Sequence, residues 1–161
     1  MREIQLTQNQ VALVDDEDYE WLTTVKWCAS KMGGKFYAVR GVDYHTQLMH
    51  NAIWEHHFGS IPEGYTTDHK DRTGLNNQKD NFRLATPTQQ IGNRGINKNN
   101  TSGYKGVYFH KRAKKYLAQI VVEYDYVYLG LFTDIEEAAR AYDVAALEHF
   151  GEFARLNLPP E

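Results

Sequence analysis

Residues 66–94 read TTDHKDRTGLNNQKDNFRLATPTQQIGNR, a polar run in the middle of the chain that can build little hydrophobic core. Burial of apolar surface is the main force that orders a chain, so what a fold gains from this stretch is the question it raises. RLAT reads as a short strand within it. Behind that strand, Thr86 is an N-cap candidate, Pro87 suits the first helical position, and Gln89 completes a Thr-x-x-Gln capping box. A helix starting there carries Gln90 and Asn93 three residues apart on one face. So polar a run, closed by so well marked a helix, points to chemistry rather than packing.

The flanks are more ordinary. Strands are expected at REIQLT, QVALVD and KFYAVRG, with KMGGK as a turn. DDEDYEWLTTVKW is a short helix candidate whose acidic first turn suits the helix dipole. QLMHNAIWEHHFG is expected to be helical, with Leu48, Ile53 and Trp54 on one face and Gly59 as its stop. IPEGY then turns the chain into the polar run. Beyond it RGINKNNTSG reads as a linker. Strands YKGVYFH, KYLAQIVV and YVYLGLF follow, then the helix DIEEAARAYDVAALEHFG, with Asp134 as N-cap, Glu137 three residues on and Gly151 as stop.

With 161 residues the chain makes one medium domain or two small ones. No stretch approaches the roughly 18 apolar residues of a membrane span, and MREIQLTQNQ lacks a signal-peptide apolar region, so a cytoplasmic protein without membrane partners is expected. The lone Cys28 excludes an internal disulfide and a multi-cysteine zinc site, and is expected to be a small buried hydrophobe. The net charge of −3 argues against a nucleic-acid partner only until its distribution is read. Lys98, Lys105, Lys111, Arg112, Lys114 and Lys115 face only Glu123 and Asp125 before residue 128, whereas acidic residues outnumber basic ones beyond it. A local basic patch, not the total, governs contact with phosphates.

Asp68 can hold a hard divalent cation through oxygen. Neighbouring His69 titrates near neutrality and can take a proton from water. Adjacent strand residues point to opposite sides, so the two converge on one substrate only in a loop or bent strand. Taken alone, an Asp-His pair is as readily a turn with a surface histidine. The order Asp68-His69, Asn76-Asn77, Asn81, strand, Thr86-Pro87, Gln90 and Asn93, preceded by MHNAIW and GSIPEGY, resembles the His-Asn-His (HNH) homing endonucleases over about residues 49–94. The resemblance implies a ββα-metal fold gripping Mg2+ or Mn2+. His69 would be the general base, Asp68 a metal ligand, and Asn81 the residue that holds the loop by bonding backbone. The third signature position carries Gln90, where the family has His or Asn, and Asn93 one turn on is a substitute ligand. The family's Asp-Gly-Asn loop reads DRTGLNN here. His50, His56 and His57 also admit a zinc reading, although a histidine on such a helix is more often packed or solvated. By the same resemblance His50 lies near the nuclease site.

Alternation divides the C-terminal strands into two faces. Val107, Phe109, Tyr116, Ala118, Ile120, Val127 and Leu129 would lie beneath the helix, whose Ala138, Ala139, Ala145 and Ala146 allow close approach. Tyr108, His110, Lys115, Gln119, Tyr126 and Tyr128 form the other face, with Lys111, Arg112 and Lys114 at the hairpin. Residues 101–159 closely resemble the Apetala-two (ethylene-response-factor) DNA-binding domain, which implies a sheet in the major groove. Its reading positions fall on Lys105, Tyr108, His110, Arg112, Gln119, Tyr126 and Tyr128, with Val121 where arginine is frequent.

The expected fold is therefore α+β: a small β-rich N-terminal region, a ββα-metal core, and a three-stranded antiparallel sheet on one helix. The expected division is a nuclease domain 1–95, a linker 96–103 and a reader 104–161. Such a chain would be a phage or mobile-element endonuclease acting in a host cell, monomeric, cutting double-stranded DNA and nicking one strand. A non-cleaving regulator with a decayed position 90 is the second reading, and an RNA binder the third.

Overall fold

The computed structural model describes residues 1–159, and the chain divides into two compact units, Met1–Ala85 and Thr86–Glu161. The fold is α+β, as expected.

In the first unit, β1 (Arg2–Gln5) and β2 (Val11–Val14) form an antiparallel hairpin. Helix α1 (Asp16–Leu22) follows, with Asp16, Glu17 and Asp18 in its first turn. β3 (Cys28–Met32), β4 (Lys35–Val42) and β5 (His45–Leu48) make a three-stranded antiparallel sheet with β4 central. Only β4 of these was expected. Two tight turns build the rest: Gly33 and Gly34, then Asp43 and Tyr44, all have positive φ, as two-residue hairpin turns demand. Helix α2 runs Met49–Phe58. It starts later than the apolar pattern implied, because Gln47 and Leu48 still pair with Arg40 and Val39. β6 (Thr66–His69) and β7 (Phe82–Ala85) form a second antiparallel ribbon across the polar run. Ile4, Val14, Leu22, Trp27, Met49 and Ile53 belong to one buried cluster that Phe82 of β7 also enters, and Trp27 Nε1 donates to Leu22 O at 3.0 Å. Cys28 is half-buried rather than buried.

The second unit starts with α3 (Pro87–Asn93), where the expected capping box is complete: Thr86 accepts from Gln89 N and Gln89 from Thr86 N. β8 (Val107–His110), β9 (Lys115–Val122) and β10 (Asp125–Phe132) form an antiparallel sheet in the order β10-β9-β8. Helix α4 (Ile135–Phe150) covers one face, capped by Asp134, which accepts from Glu136 N at 2.7 Å and Glu137 N at 3.0 Å. Ala138, Ala139, Ala145 and Ala146 are all buried, and the first two pack with Val107 and Ala118. Phe109 and Val127, expected beneath the helix, stay 51% and 37% exposed.

Helix α3 was expected in the N-terminal domain but packs on α4. A Cβ on Gly92 would lie 2.5 Å from the Phe150 ring, Arg155 N donates to Gly92 O at 3.2 Å, and Lys105 Nζ donates to Gly92 O at 2.6 Å. The division at Ala85–Thr86 follows from these contacts.

Two glycines test the tightness of this unit. Gly106 (φ +74°) would place a Cβ 2.1 Å from Tyr142, whereas Gly103 (φ +81°) has nothing within 4 Å. Gly103→Ala should cost only the left-handed penalty of about 1–2 kcal/mol. Gly106→Ala should add an overpacking cost of about 1–3 kcal/mol. Urea unfolding of the two variants checks the difference, and equal losses would show that Tyr142 yields.

Candidate functional site

The loop joining β6 to β7 is held almost wholly by amides. Asn81 donates from Nδ2 to Asp71 Oδ1 at 3.0 Å and Asn76 O at 2.8 Å, and accepts from Asp71 N at 3.0 Å. Asp71 also accepts from Thr73 N and Asn76 Nδ2, each at 2.8 Å. Burial raises the Asp71 pKa, but bonds from Thr73, Asn76 and Asn81 outweigh it, leaving the carboxyl below its ordinary range. A second seam joins the loop to β2, where Leu13 N donates to Leu75 O at 2.8 Å and Asn77 N to Leu13 O at 2.7 Å. Asp15 accepts from Lys79 N at 2.8 Å and Gln78 Nε2 at 3.2 Å.

His69 lies at the end of β6, opposite Phe82, and is buried. Its Nε2 is 3.4 Å from Oδ1 of the fully buried Asn77. An amide oxygen only accepts, so this contact is a hydrogen bond in the tautomer that carries the proton on Nε2 and leaves the lone pair on Nδ1. The ring meets His50 edge-on at 4.6 Å between centroids, with Phe82 at 5.5 Å and Tyr37 at 6.1 Å. Burial lowers the His69 pKa, opposed by the bond to Asn77 and by Asp71 and Asp68. The imidazole is therefore neutral at neutral pH and available as a base. Helix α2 supports the strand: Thr67 donates to Asn51 Oδ1 at 2.5 Å, and buried His50 lies on the same helix. Asn77, Asp71 and Tyr37 received no role from sequence reasoning. The Asn76-Asn77 doublet was the available signal, but nothing in it distinguishes the buried amide from its neighbour.

Asp68 is half-buried and paired through Oδ2 with Arg83 Nε at 3.1 Å, its cross-strand partner. The strand is regular here. Buried Thr67 and His69 alternate with Thr66 and Asp68, and the Asp68 carboxylate still lies near enough to the imidazole to favour its protonated form. Gln90 and Asn93 lie on α3, with Asn93 buried. Carboxylate and amide oxygens are hard donors that suit a cation retaining several waters, such as Mg2+ or Mn2+. The zinc reading gains nothing: His57 Nε2 contacts Asp18 Oδ1 at 2.6 Å and His56 stacks on Trp21 at 4.7 Å. Among the described residues no group of three or more His, Cys, Asp or Glu could hold a metal.

In the second unit Tyr108, Tyr126 and Tyr128 stand 48%, 73% and 61% exposed, and Lys111, Arg112, Lys114 and Lys115 are exposed around the β8–β9 turn. His110 Nδ1 accepts from Ala113 N at 3.1 Å, ordering that turn. Gln119 is half-buried opposite Tyr128. Lys105, expected on the reading face, lines one cleft with Tyr108, Gln119 and Tyr126 and donates through Nζ to Ile91 O at 3.3 Å and Gly92 O at 2.6 Å, at the C-terminal end of α3. No helix among the described residues is long and apolar enough to cross a membrane.

These sites coincide with known families. An HNH endonuclease family profile matches residues 47–90 and an AP2 domain profile residues 102–152. Protein 3.8 of Escherichia phage T7 is 38% identical over 80 residues, half of this chain and 66% of that protein, so the chain spans about two thirds of its length. An uncharacterized HNH endonuclease of Acanthamoeba polyphaga mimivirus is 33% identical over 154 residues, 91% of this chain and 74% of its own. An AP2/ERF and B3 domain-containing protein of Oryza sativa subsp. japonica is 48% identical over 59 residues, 37% of this chain and 16% of its own.

Burial, then the neighbouring His69, push the His50 pKa down to about 3. Below about 6.5 the unfolded state binds a proton that the fold refuses. Stability from this group is thus complete above that pH and falls by about 1.4 kcal/mol per unit as pH drops toward 3. His50→Gln should flatten that slope in urea midpoints taken from about pH 7 to 4. An unchanged slope would exonerate the imidazole.

Proposed function

The chain belongs to the HNH endonuclease family and carries an AP2 domain, and we propose that it is a divalent-metal-dependent endonuclease of the homing type that nicks double-stranded DNA. The observation that carries this reading is a buried, neutral His69 oriented by Asn77 within the HNH match. His69 Nδ1 takes the proton of the attacking water. Asn77 holds the ring through Nε2, and Asn81 keeps the loop that supports it in shape. Asp68, with Gln90 or Asn93 as the family spacing assigns them, would hold Mg2+ or Mn2+ through oxygen, and the chemistry so supplied would be neutralisation of charge on the phosphate and on the leaving oxygen. Arg83 keeps the Asp68 carboxylate oriented.

Lys111, Arg112, Lys114 and Lys115 contact phosphates, and the sheet face of Tyr108, His110, Gln119, Tyr126 and Tyr128 lies toward the bases. An AP2-type reader beside a small nuclease raises the local concentration of its DNA. The phage and mimivirus relatives support a phage or mobile-element origin and action in a host cell. One nuclease site per chain supports nicking by a monomer. The pairing of Asp68 with Arg83 favours one alternative, a DNA-binding protein that does not cut.

Conversion of supercoiled to open-circular plasmid with Mg2+ or Mn2+ tests the proposal. His69→Ala should lower the nicking rate about 10²–10⁴-fold, the usual worth of a general base, and a chelator should abolish it. Nicking that survives the substitution removes His69 from the mechanism, and duplex binding without nicking favours the alternative. Lys114→Ala with Lys115→Ala should weaken binding to every duplex and reduce the slope of log K against log salt by about 2. An unchanged slope would move the phosphate contacts off this hairpin.

A further inference from the structure

The outer face of the β8–β10 sheet differs from what alternation along its strands implies. Gly130 has φ +141°, and the β9–β10 register shifts between Tyr128 and Gly130. The bulge reverses the phase of β10: Gly130 pairs with core residue Ala118, and Leu131 pairs with Leu117. Cross-strand partners share a face. Leu117 and Leu131 therefore join Tyr108, which pairs with Leu117, on the outer side. Further along the same side Gln119 pairs with Tyr128, and Val121 with Tyr126. A cleft of about 170 Å³ whose lining includes Tyr108, Gln119, Val121 and Tyr126 independently places these four together.

The surface is thus an apolar and aromatic band with a single amide in it. On the strands themselves cations stand only at the hairpin end, where His110 pairs with Lys115; outside the sheet the same cleft is lined by the exposed Arg94 and by Lys105, whose amine donates to the Ile91 and Gly92 carbonyls. None of the three strands contains an arginine. Arginine is the commonest reader of guanine O6 and N7, glutamine reads adenine N6 and N7, and apolar side chains contact the thymine methyl.

We propose that this face selects A·T-rich sites in duplex DNA, with Gln119 reading one adenine and Leu117, Val121 and Leu131 packing on thymine methyls. The proposal rests on the reading above that the sheet binds duplex DNA. Three tyrosine rings flank the amide and exclude water from its bonds. Arg112, in the turn, serves phosphate rather than guanine.

The test uses the full chain in chelator, so that binding is read without cleavage. Selection from a random duplex library should return a run of A·T pairs. In the selected duplex, replacing one contacted thymine by deoxyuridine removes only its methyl and should weaken binding about fourfold, the worth of one buried methylene-sized group. Gln119→Ala should erase the preference for adenine over guanine at one position, a change of at least about fivefold, and, because the side chain is uncharged, leave the salt slope as it was. Enrichment of G·C pairs, or equal binding of thymine and deoxyuridine duplexes, overturns the A·T assignment and leaves duplex binding standing. Failure to retain any duplex overturns both readings and recasts the apolar band as a protein-docking surface. The deoxyuridine arm needs no variant, so a misfolded Gln119→Ala cannot shield the proposal.

Discussion

The amide of Asn81 is the interaction on which the nuclease region depends. The loop between β6 and β7 has too few apolar residues to be ordered by burial, and Leu75 is its only side chain against the core cluster. Order comes instead from one side chain that satisfies a backbone N–H, a backbone carbonyl and a carboxylate at once. Each such bond is worth only about 1 kcal/mol net, but they share partners and close a ring through Asp71 and Asn76. The bonds through Asp71 lie at the surface, so shared partners rather than burial give the ring its strength.

That ring fixes where Asn77 emerges, and Asn77 in turn fixes His69. An imidazole in an aromatic pocket with His50, Phe82 and Tyr37 loses its charge by desolvation. Loss of charge is useful to a base that must begin unprotonated. Asp71 and Asp68 oppose the shift, so the ring is moved toward neutrality without being isolated from all stabilisation of its protonated form. Phe82 joins the hydrophobic cluster of the first unit and also walls the His69 ring.

In the second unit, α4 needs small residues to lie on the sheet, and Ala138 and Ala139 provide them. Helix α3 is drawn to the same unit by Gly92 against Phe150 and by Lys105 at its C-terminal carbonyls. A lysine that looks like a phosphate contact in a list of cations is committed to a helix end. The overall charge of −3 carries little information about DNA, because four exposed cations, Lys111, Arg112, Lys114 and Lys115, cluster at one turn.

Much of this was legible in the order of residues. Helix boundaries followed from local devices that act within a few positions: Thr86 with Gln89, Asp134 before α4, and the glycines at 59 and 151. The motif spacing from Asp68 through Asn93 identified the family, since chemistry at a site constrains residue types directly. Other features depended on partners distant in the chain. β3 and β5 form only because β4 offers both its edges, and no local propensity announces that. The regular pairing of β6 with β7 turned Asp68 toward Arg83 and His69 toward His50. One inserted residue at the β10 bulge moved Leu131 from the helix side to the open side. Short-range hydrogen bonding and stereochemistry are written in adjacent residues, whereas burial, register and the pairing of charges are settled only when remote segments meet.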